Sequence, residues 1–272
     1  MKIKNKKSDG IDFYYNKKAS NEMLEMTKYC LRNKRIDKKK FELIKKGNQR
    51  EVYKAIIDSE SYYFKKYCYR SFDKKLKNIF RKSAAYNSFK LSNDLIENGI
   101  SVVKPVLAAE IKHNHLTVDS VFITKDFGGT DLQQFLAEQD YSAAEKEEII
   151  ISLAKLWSKL YKNNYLNGDP NLPGVLLNFD DKLKLSLVDL DNFRQSIYLT
   201  KKRIIRNLAK FNAHSYSGLA KMGSKKLKSA DRKLFLQHLI RNYKRLEKMN
   251  LYQAIQAETF NILKAWGKSE LI

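Results

Sequence analysis

The spacing of apolar and polar positions divides this 272-residue chain into stretches of different character. Residues 1–40 are polar and basic, with one helical pattern at Asn21–Leu31 and a charged stretch, Asn33–Lys40, behind it. From Phe41 the pattern predicts strands. FELIKK, EVYKAIID and SYYFKKYC are rich in β-branched and aromatic residues, with turn formers between them. A helix is expected over Lys74–Glu97, stopped by Asn98-Gly99. Two further strand-like runs follow, Ser101–Ala109 and Leu116–Thr124, and Gly128-Gly129 ends the block. Beyond it Ile149, Leu153, Leu156, Trp157 and Leu160 recur at helical spacing and predict a buried helix. A loop rich in Gly and Pro spans Asn164–Gly174. Two short strands, Val175–Phe179 and Leu183–Asp189, then flank a turn at Asp180-Asp181. Helical patterns at Arg203–Phe211, Ala230–Leu246 and Tyr252–Trp266 complete the chain.

Composition narrows the class. An apolar share of 43% with 12% aromatic residues describes a globular protein rather than a disordered one. The charge is the unusual feature: 53 Lys and Arg against 30 Asp and Glu leave a net +23. That balance favours anionic partners, whether nucleic acid, an anionic membrane face or phosphorylated glycans, although a Lys-rich surface also arises from codon bias alone. Cys30 and Cys68 form no CxxC pair, which argues against a zinc site or a disulfide framework and for a reducing compartment. MKIKNKKSDG has no apolar stretch behind its charges, and no run of about 20 apolar residues exists. The expectation is an intracellular protein, soluble or at most peripheral on a membrane.

The strongest chemistry lies in NGDPNLPGVLL (Asn167–Leu177) followed by KLSLVDLDNF (Lys184–Phe193). Phosphoryl transfer to an alcohol uses one carboxylate beside the attacking hydroxyl and a second to hold Mg²⁺ on the phosphates. Asp169 and Asp189 stand in a loop after a helix and just past a short hairpin, where kinases place those two groups. Taken singly, Asp169 reads equally as a turn aspartate and Asp189 as a strand-end residue; their order and the apolar strands between them favour the functional reading. Upstream, Gly47 between two strands is a candidate phosphate-covering turn with Arg50 adding charge, or a plain hairpin. In YYFKKY, alternation sends Lys65 and Lys66 to opposite faces, and register favours Lys65 as the nucleotide-phosphate ligand. Strands and a helix, then a helix, a loop, a short hairpin and more helices, is the order of a protein kinase. The expected architecture is α+β with two lobes. A basic N-terminal extension at 1–40 precedes a small β-rich, nucleotide-binding N-lobe at 41–127, and a larger helical C-lobe at 128–272 carries the catalytic loop and the acceptor region.

The chain resembles the lipopolysaccharide kinases, the Kdo and heptose kinase group of the protein-kinase-like superfamily. The markers run from about Lys45 to about Tyr243: YYFKKY, NGISVVKPVLA, YLNGDPNLPGVLL and VDLDNFR, then RIIRNLAKF and SADRKLFLQHLIRNY as the family's C-terminal helices, which aminoglycoside kinases lack. The resemblance implies ATP and Mg²⁺ as cofactors, Asp169 as catalytic base, Asp189 as metal ligand and Lys65 on the ATP phosphates. It also implies a sugar hydroxyl of lipopolysaccharide core as acceptor, an anionic glycolipid met at the cytoplasmic face of the inner membrane. Three departures stand out. Asn167 replaces the family's histidine. Gly174 replaces the second metal-binding asparagine, for which Asn171 or Asp191 would substitute. Arg81–Lys90 holds no acid to pair with the strand lysine, and Asp94 is poorly placed. The last two keep a pseudokinase in play, and another small-molecule acceptor such as an aminoglycoside, a ketosamine or a protein is a further alternative. A nucleic-acid-binding role would leave the Asp169–Asp189 order unexplained. His113 and His115 read as a hairpin tip rather than a metal site, and His214 and His238 as surface or packing residues.

Overall fold

The computed structural model describes residues 2–68, 82–113, 116–180, 182–224, 227–247 and 251–272. The chain divides into two compact units, Met1–Glu97 with Val102–Phe127 and Asn98–Ser101 with Gly128–Ile272.

Unit 1 is a seven-stranded antiparallel sheet in the order β1-β2-β6-β7-β5-β4-β3. Its strands are β1 (Lys4–Ser8), β2 (Ile11–Tyr15), β3 (Glu42–Lys46), β4 (Arg50–Ile57), β5 (Glu60–Cys68), β6 (Pro105–His113) and β7 (Leu116–Lys125). Helix α1 (Asn21–Arg32) starts where the Ser20 side chain accepts from Met23 N at 3.2 Å, and buries Met23, Cys30 and Leu31 against Phe41, Phe64 and Ile123. On the other face, Phe89 of α2 (Ala84–Glu97) packs with Tyr14, Tyr67 and Phe122. Strand alternation therefore divides β5 between two cores, with Phe64 toward α1 and Tyr67 toward α2.

Two differences from the sequence pattern have physical reasons. No strand is expected before Phe41, yet β1 and β2 form a hairpin through Asp9-Gly10, both at positive φ (53° and 75°). The pattern KNKKS holds no apolar residue, so β1 is a strand by virtue of its partner rather than its burial. The run expected from Ser101 opens only at Pro105, which has no N–H to give a ladder and suits a strand's first residue. The helix expected from Lys74 is seen from Ala84, residues 69–81 lying outside the described set.

Lys66 is almost fully buried, and its ammonium donates to the carbonyls of Cys30 (2.7 Å) and Asn33 (2.8 Å) at the end of α1. A cation there satisfies carbonyls the helix leaves open and complements its dipole. Lys66→Met keeps the stem and removes both charged hydrogen bonds. It is expected to destabilise the protein by about 1.5–3 kcal/mol, read from urea unfolding.

Unit 2 holds α3 (Leu132–Glu138), α4 (Ala143–Lys162), α5 (Lys201–Lys221), α6 (Ser229–Asn242) and α7 (Leu251–Ala265). Its short strands β8 (Thr130–Asp131), β10 (Val175–Asn178) and β11 (Lys184–Leu187) make one small sheet, and β9 (Tyr165–Asn167) pairs with β12 (Phe193–Gln195). Trp157 of α4 lies 4.5 Å from Phe211 of α5 and 6.4 Å from Phe235 of α6, ring centre to centre, at the heart of the helical core. Gly129 (φ 82°) lies so close to the Leu177 carbonyl that any Cβ would collide with it. α5 runs ten residues past the expected Phe211, because its second half buries the small residues Ala213, Ser215 and Ser217 with Leu219, which together give little periodic hydrophobic signal. α6 ends at Asn242, and Leu246 instead fills the core from a 3₁₀ turn at Lys244–Leu246. Asp181 of the expected hairpin turn is outside the described residues. Among the described residues no helix is long and apolar enough to cross a membrane.

Candidate active site

Two ladders in unit 2 join the segment carrying Asp169 to the segment carrying Asp189. β9 pairs with β12, Asn167 opposite Phe193, and Gly168 N donates to Asn192 O at 2.8 Å. β10 pairs with β11, Val175 opposite Leu187, and Val188 N donates to Gly174 O at 3.0 Å. The loop 168–174 and the segment 188–192 are thus held side by side at both ends. Close packing at Gly168, where an added Cβ would lie 3.1 Å from Asn192 O, leaves little room for a side chain.

Inside the loop, asparagines replace regular structure. Asn167 Oδ1 accepts from Asp169 N at 2.9 Å. Asn171 Nδ2 donates to Asp169 O at 2.9 Å, while its Oδ1 accepts from Gly174 N at 2.8 Å. Asn171, the candidate metal ligand, therefore spans the turn that Gly174 closes, with a lone pair of Oδ1 still to offer. Asn167, at the position where the resemblance implied histidine, takes a structural part. Its carbonyl accepts from Asn207 Nδ2 at 2.6 Å, and Asn207 Oδ1 accepts from the buried Tyr161 hydroxyl at 2.9 Å. That chain ties the loop to α4 and α5.

Asp169 itself is held from α5. Lys210 Nζ lies 3.0 Å from its Oδ1 and also donates to Gly168 O at 2.8 Å. His214 Nε2 lies 3.2 Å from the same oxygen, although the approach is not aligned as a hydrogen bond. Partial burial raises the Asp169 carboxyl, but the Lys210 hydrogen bond and the charges of Lys210 and His214 outweigh it and hold the pKa below the ordinary value. Burial, aided by the Lys210 charge, lowers the His214 pKa against the pull of Asp169. Neither Lys210 nor His214 is foreseen from sequence. The available signal is their i, i+4 spacing, which places both on one face of α5 with Asn207 one turn before Lys210.

The depressed His214 pKa has a direct consequence for stability. An unfolded imidazole takes up a proton near 6.5, whereas the folded one resists it. The contribution is fully present above about pH 6.5 and is lost as pH falls through the lower folded value. In thermal melts between pH 7.5 and 5, His214→Gln is expected to flatten this decline; a variant with the unchanged slope would assign it to other groups.

Asp189 is exposed and sits in the left-handed region (φ 58°, ψ 62°), directly ahead of a 3₁₀ turn at Leu190–Asn192. Among non-glycine residues Asp and Asn adopt that region most readily. It points the residue out of the β11 path, so the expected strand end at Asp189 is instead a break after Leu187. Among the described residues no group of three or more His, Cys, Asp and Glu surrounds a common metal position. Asp189, Asp191 and Asn171 offer oxygen donors, the type that Mg²⁺ accepts when phosphates complete its shell.

In unit 1 the candidate nucleotide residues are on or beside the β4–β5 hairpin. Lys65 lies opposite Val52, and Arg50 opposite Tyr67, so strand alternation puts Lys65, Val52, Arg50 and Tyr67 on the sheet face that carries α2. The Lys65 ammonium lies 5.3 Å from the Tyr67 ring centre. Gly47 N donates to Arg50 O at 2.8 Å, closing the β3–β4 turn. In α2, Ala84–Asn93 holds no acid, and Asp94 and Glu97 follow in its last turn. His113 is the last residue of β6, and His115 is outside the described residues.

Among solved structures the chain is similar to WaaP in complex with acyl carrier protein (TM-score 0.60, 16% identity), over 88% of this chain and 92% of that one. No curated protein sequence matches it. The fold is therefore α+β and protein-kinase-like, with a small β-rich N-lobe and a larger helical C-lobe. The model of the lipopolysaccharide kinase (Kdo/WaaP) family matches residues 35–243, and the chain belongs to that family.

Proposed function

We propose that the protein is an ATP-dependent phosphotransferase that phosphorylates a sugar hydroxyl, Kdo or heptose, of lipopolysaccharide core. The observation that carries this reading is the Asp169 carboxylate, kept ionised by Lys210 on a loop laddered to the Asp189 segment. In the reaction the acceptor hydroxyl gives its proton to Asp169 as its oxygen bonds to the γ-phosphorus, and the bond from that phosphorus to the ADP oxygen breaks. Asp189, with Asn171 or Asp191, would hold Mg²⁺, which neutralises charge on the phosphates. Lys65 is assigned to the α- and β-phosphates, with Gly47 and Arg50 as the covering turn. Such an acceptor places the protein against the cytoplasmic face of an anionic inner membrane, in keeping with a net charge of +23.

A second reading is a protein that binds nucleotide without turnover, favoured by Gly174, which offers no side chain where kinases place a metal-binding asparagine. Phosphate transfer from labelled ATP to purified lipid A–core, with and without Mg²⁺, separates the two. Transfer requiring Mg²⁺ supports the kinase; nucleotide binding with no transfer to lipid A–core or to aminoglycosides supports the second reading. An acyl carrier protein is a further proposed partner, after the structural neighbour. A mainly apolar cavity in unit 2, lined by Leu136, Ile149, Leu153 and Phe235 together with Asp231 and Arg232, is the candidate place for a carried acyl chain. Co-elution of the protein with acylated but not unacylated carrier would support it.

A further inference from the structure

From β12 into α5 the chain carries Arg194, Lys201, Lys202, Arg203 and Arg206, and no acid. Lys201, Lys202 and Arg203 form the first turn of α5, where unpaired N–H groups already make the positive end of the helix dipole. Thr200 caps that end through its hydroxyl, accepting from Arg203 N at 3.3 Å, and brings no charge. Three cations in that place oppose what the helix itself needs. One carboxylate, Glu258 of α7, faces Lys201, Lys202 and Arg206 across a shallow groove and leaves positive charge in excess.

A second, independent observation lies just ahead of this turn. Ile197 is fully exposed and Tyr198 is 58% exposed, whereas the next residue, Leu199, is fully buried. Arg245 fixes the arrangement. Its guanidinium stacks on the Tyr198 ring at 4.1 Å and donates to Leu199 O at 2.9 Å. The buried Leu199 and the Arg245 clamp hold the apolar tip outward instead of letting it fold onto the protein.

We propose that loop 196–200 and the first turn of α5 dock on an anionic lipid bilayer. Ile197 and Tyr198 enter the boundary between headgroups and acyl chains, and Lys201, Lys202, Arg203 and Arg206 meet the anionic headgroups. A bilayer surface rewards both halves of the patch, since an aliphatic and an interfacial aromatic side chain gain by insertion and the cations gain from the surface potential. Nucleic acid would engage the cations and gain nothing from Ile197. The inference rests on the reading that the acceptor lies at a membrane, but vesicle binding needs neither nucleotide nor catalysis, so its failure would leave phosphate transfer standing.

The experiment is flotation of the full chain with vesicles of phosphatidylethanolamine and phosphatidylglycerol, against vesicles of phosphatidylcholine alone. Binding to the anionic vesicles only is expected. Ile197→Ser is expected to weaken it about tenfold, and Lys201→Glu with Lys202→Glu by about tenfold or more. Lys4→Glu with Lys6→Glu on exposed β1 makes the same change in net charge and is expected to leave binding within about twofold. All the substituted side chains are exposed, and unchanged thermal melts confirm the fold. Three results overturn the proposal: wild-type protein left behind by anionic vesicles, Ile197→Ser binding like wild type, or the β1 pair weakening binding as much as the α5 pair. Loss of vesicle binding alongside capture by an acidic protein counts with the first of these.

Discussion

Asp169→Asn is expected to lower phosphate transfer by about 10²–10⁴-fold while leaving nucleotide binding and the melting temperature nearly unchanged. The amide has the shape of the carboxylate, and its oxygen can still accept from Lys210, so the loop stays in place. What it loses is the negative charge and the basicity that, on the proposed reading, take the acceptor's proton. Lys210 sharpens the expectation. A lysine 3.0 Å away keeps Asp169 ionised, so a full complement of base is present across the neutral range. The measurement is the turnover rate at saturating ATP and acceptor. A variant that transfers phosphate within a few-fold of wild type would remove Asp169 from the chemistry and leave it a loop residue.

Asp189→Asn is expected to cost at least about a hundredfold in transfer, with a different signature. Asparagine is among the few residues at ease at φ 58°, so the backbone before the 3₁₀ turn is preserved and only the charge is lost. If Asp189 holds the metal, the Mg²⁺ concentration for half-maximal rate rises sharply in this variant, and added Mg²⁺ restores part of the activity. Asp169→Asn leaves that concentration unchanged. Titrating Mg²⁺ against both variants therefore distinguishes base from ligand even though both are slow. Equal Mg²⁺ dependence in the two would count against the division of roles.

Much of the fold is legible in the sequence where side-chain pattern and burial coincide. β4 and β5 stand out because Tyr53, Ala55, Ile57 and Phe64 enter the core against α1 while Tyr67 enters the other, and α4 shows helical spacing because Ile149, Leu153, Trp157 and Leu160 are all buried. Signal fails where structure is imposed by a partner. β1 has no apolar residue, and only the Asp9-Gly10 turn marks the hairpin that creates it. The second half of α5 buries mostly alanine and serine, with Leu219 as its one large buried apolar residue, so its length is hidden. The same division runs through the candidate site. Asp169 and Asp189 stand out because the pattern that marks them is a local order along the chain. Lys210 and His214 reach Asp169 from a helix some forty residues later in the chain, through a rotation that only packing sets. A histidine read as a surface or packing residue thus lies beside the candidate base.

The seven-stranded sheet ends in two edges, and they are guarded by different physics. At one end β1 presents Lys4, Lys6 and Lys7 on a wholly polar strand, so a second copy offering its own β1 is repelled by charge. At the other, β3 carries a bulge between Leu43 and Lys45 that breaks the regular row of backbone groups a strand would add to. Electrolyte weakens the first guard and leaves the second untouched, because a screened lysine no longer repels while a displaced ladder stays displaced. Concentrating the protein in strong salt therefore opens one end of the sheet to strand addition and not the other.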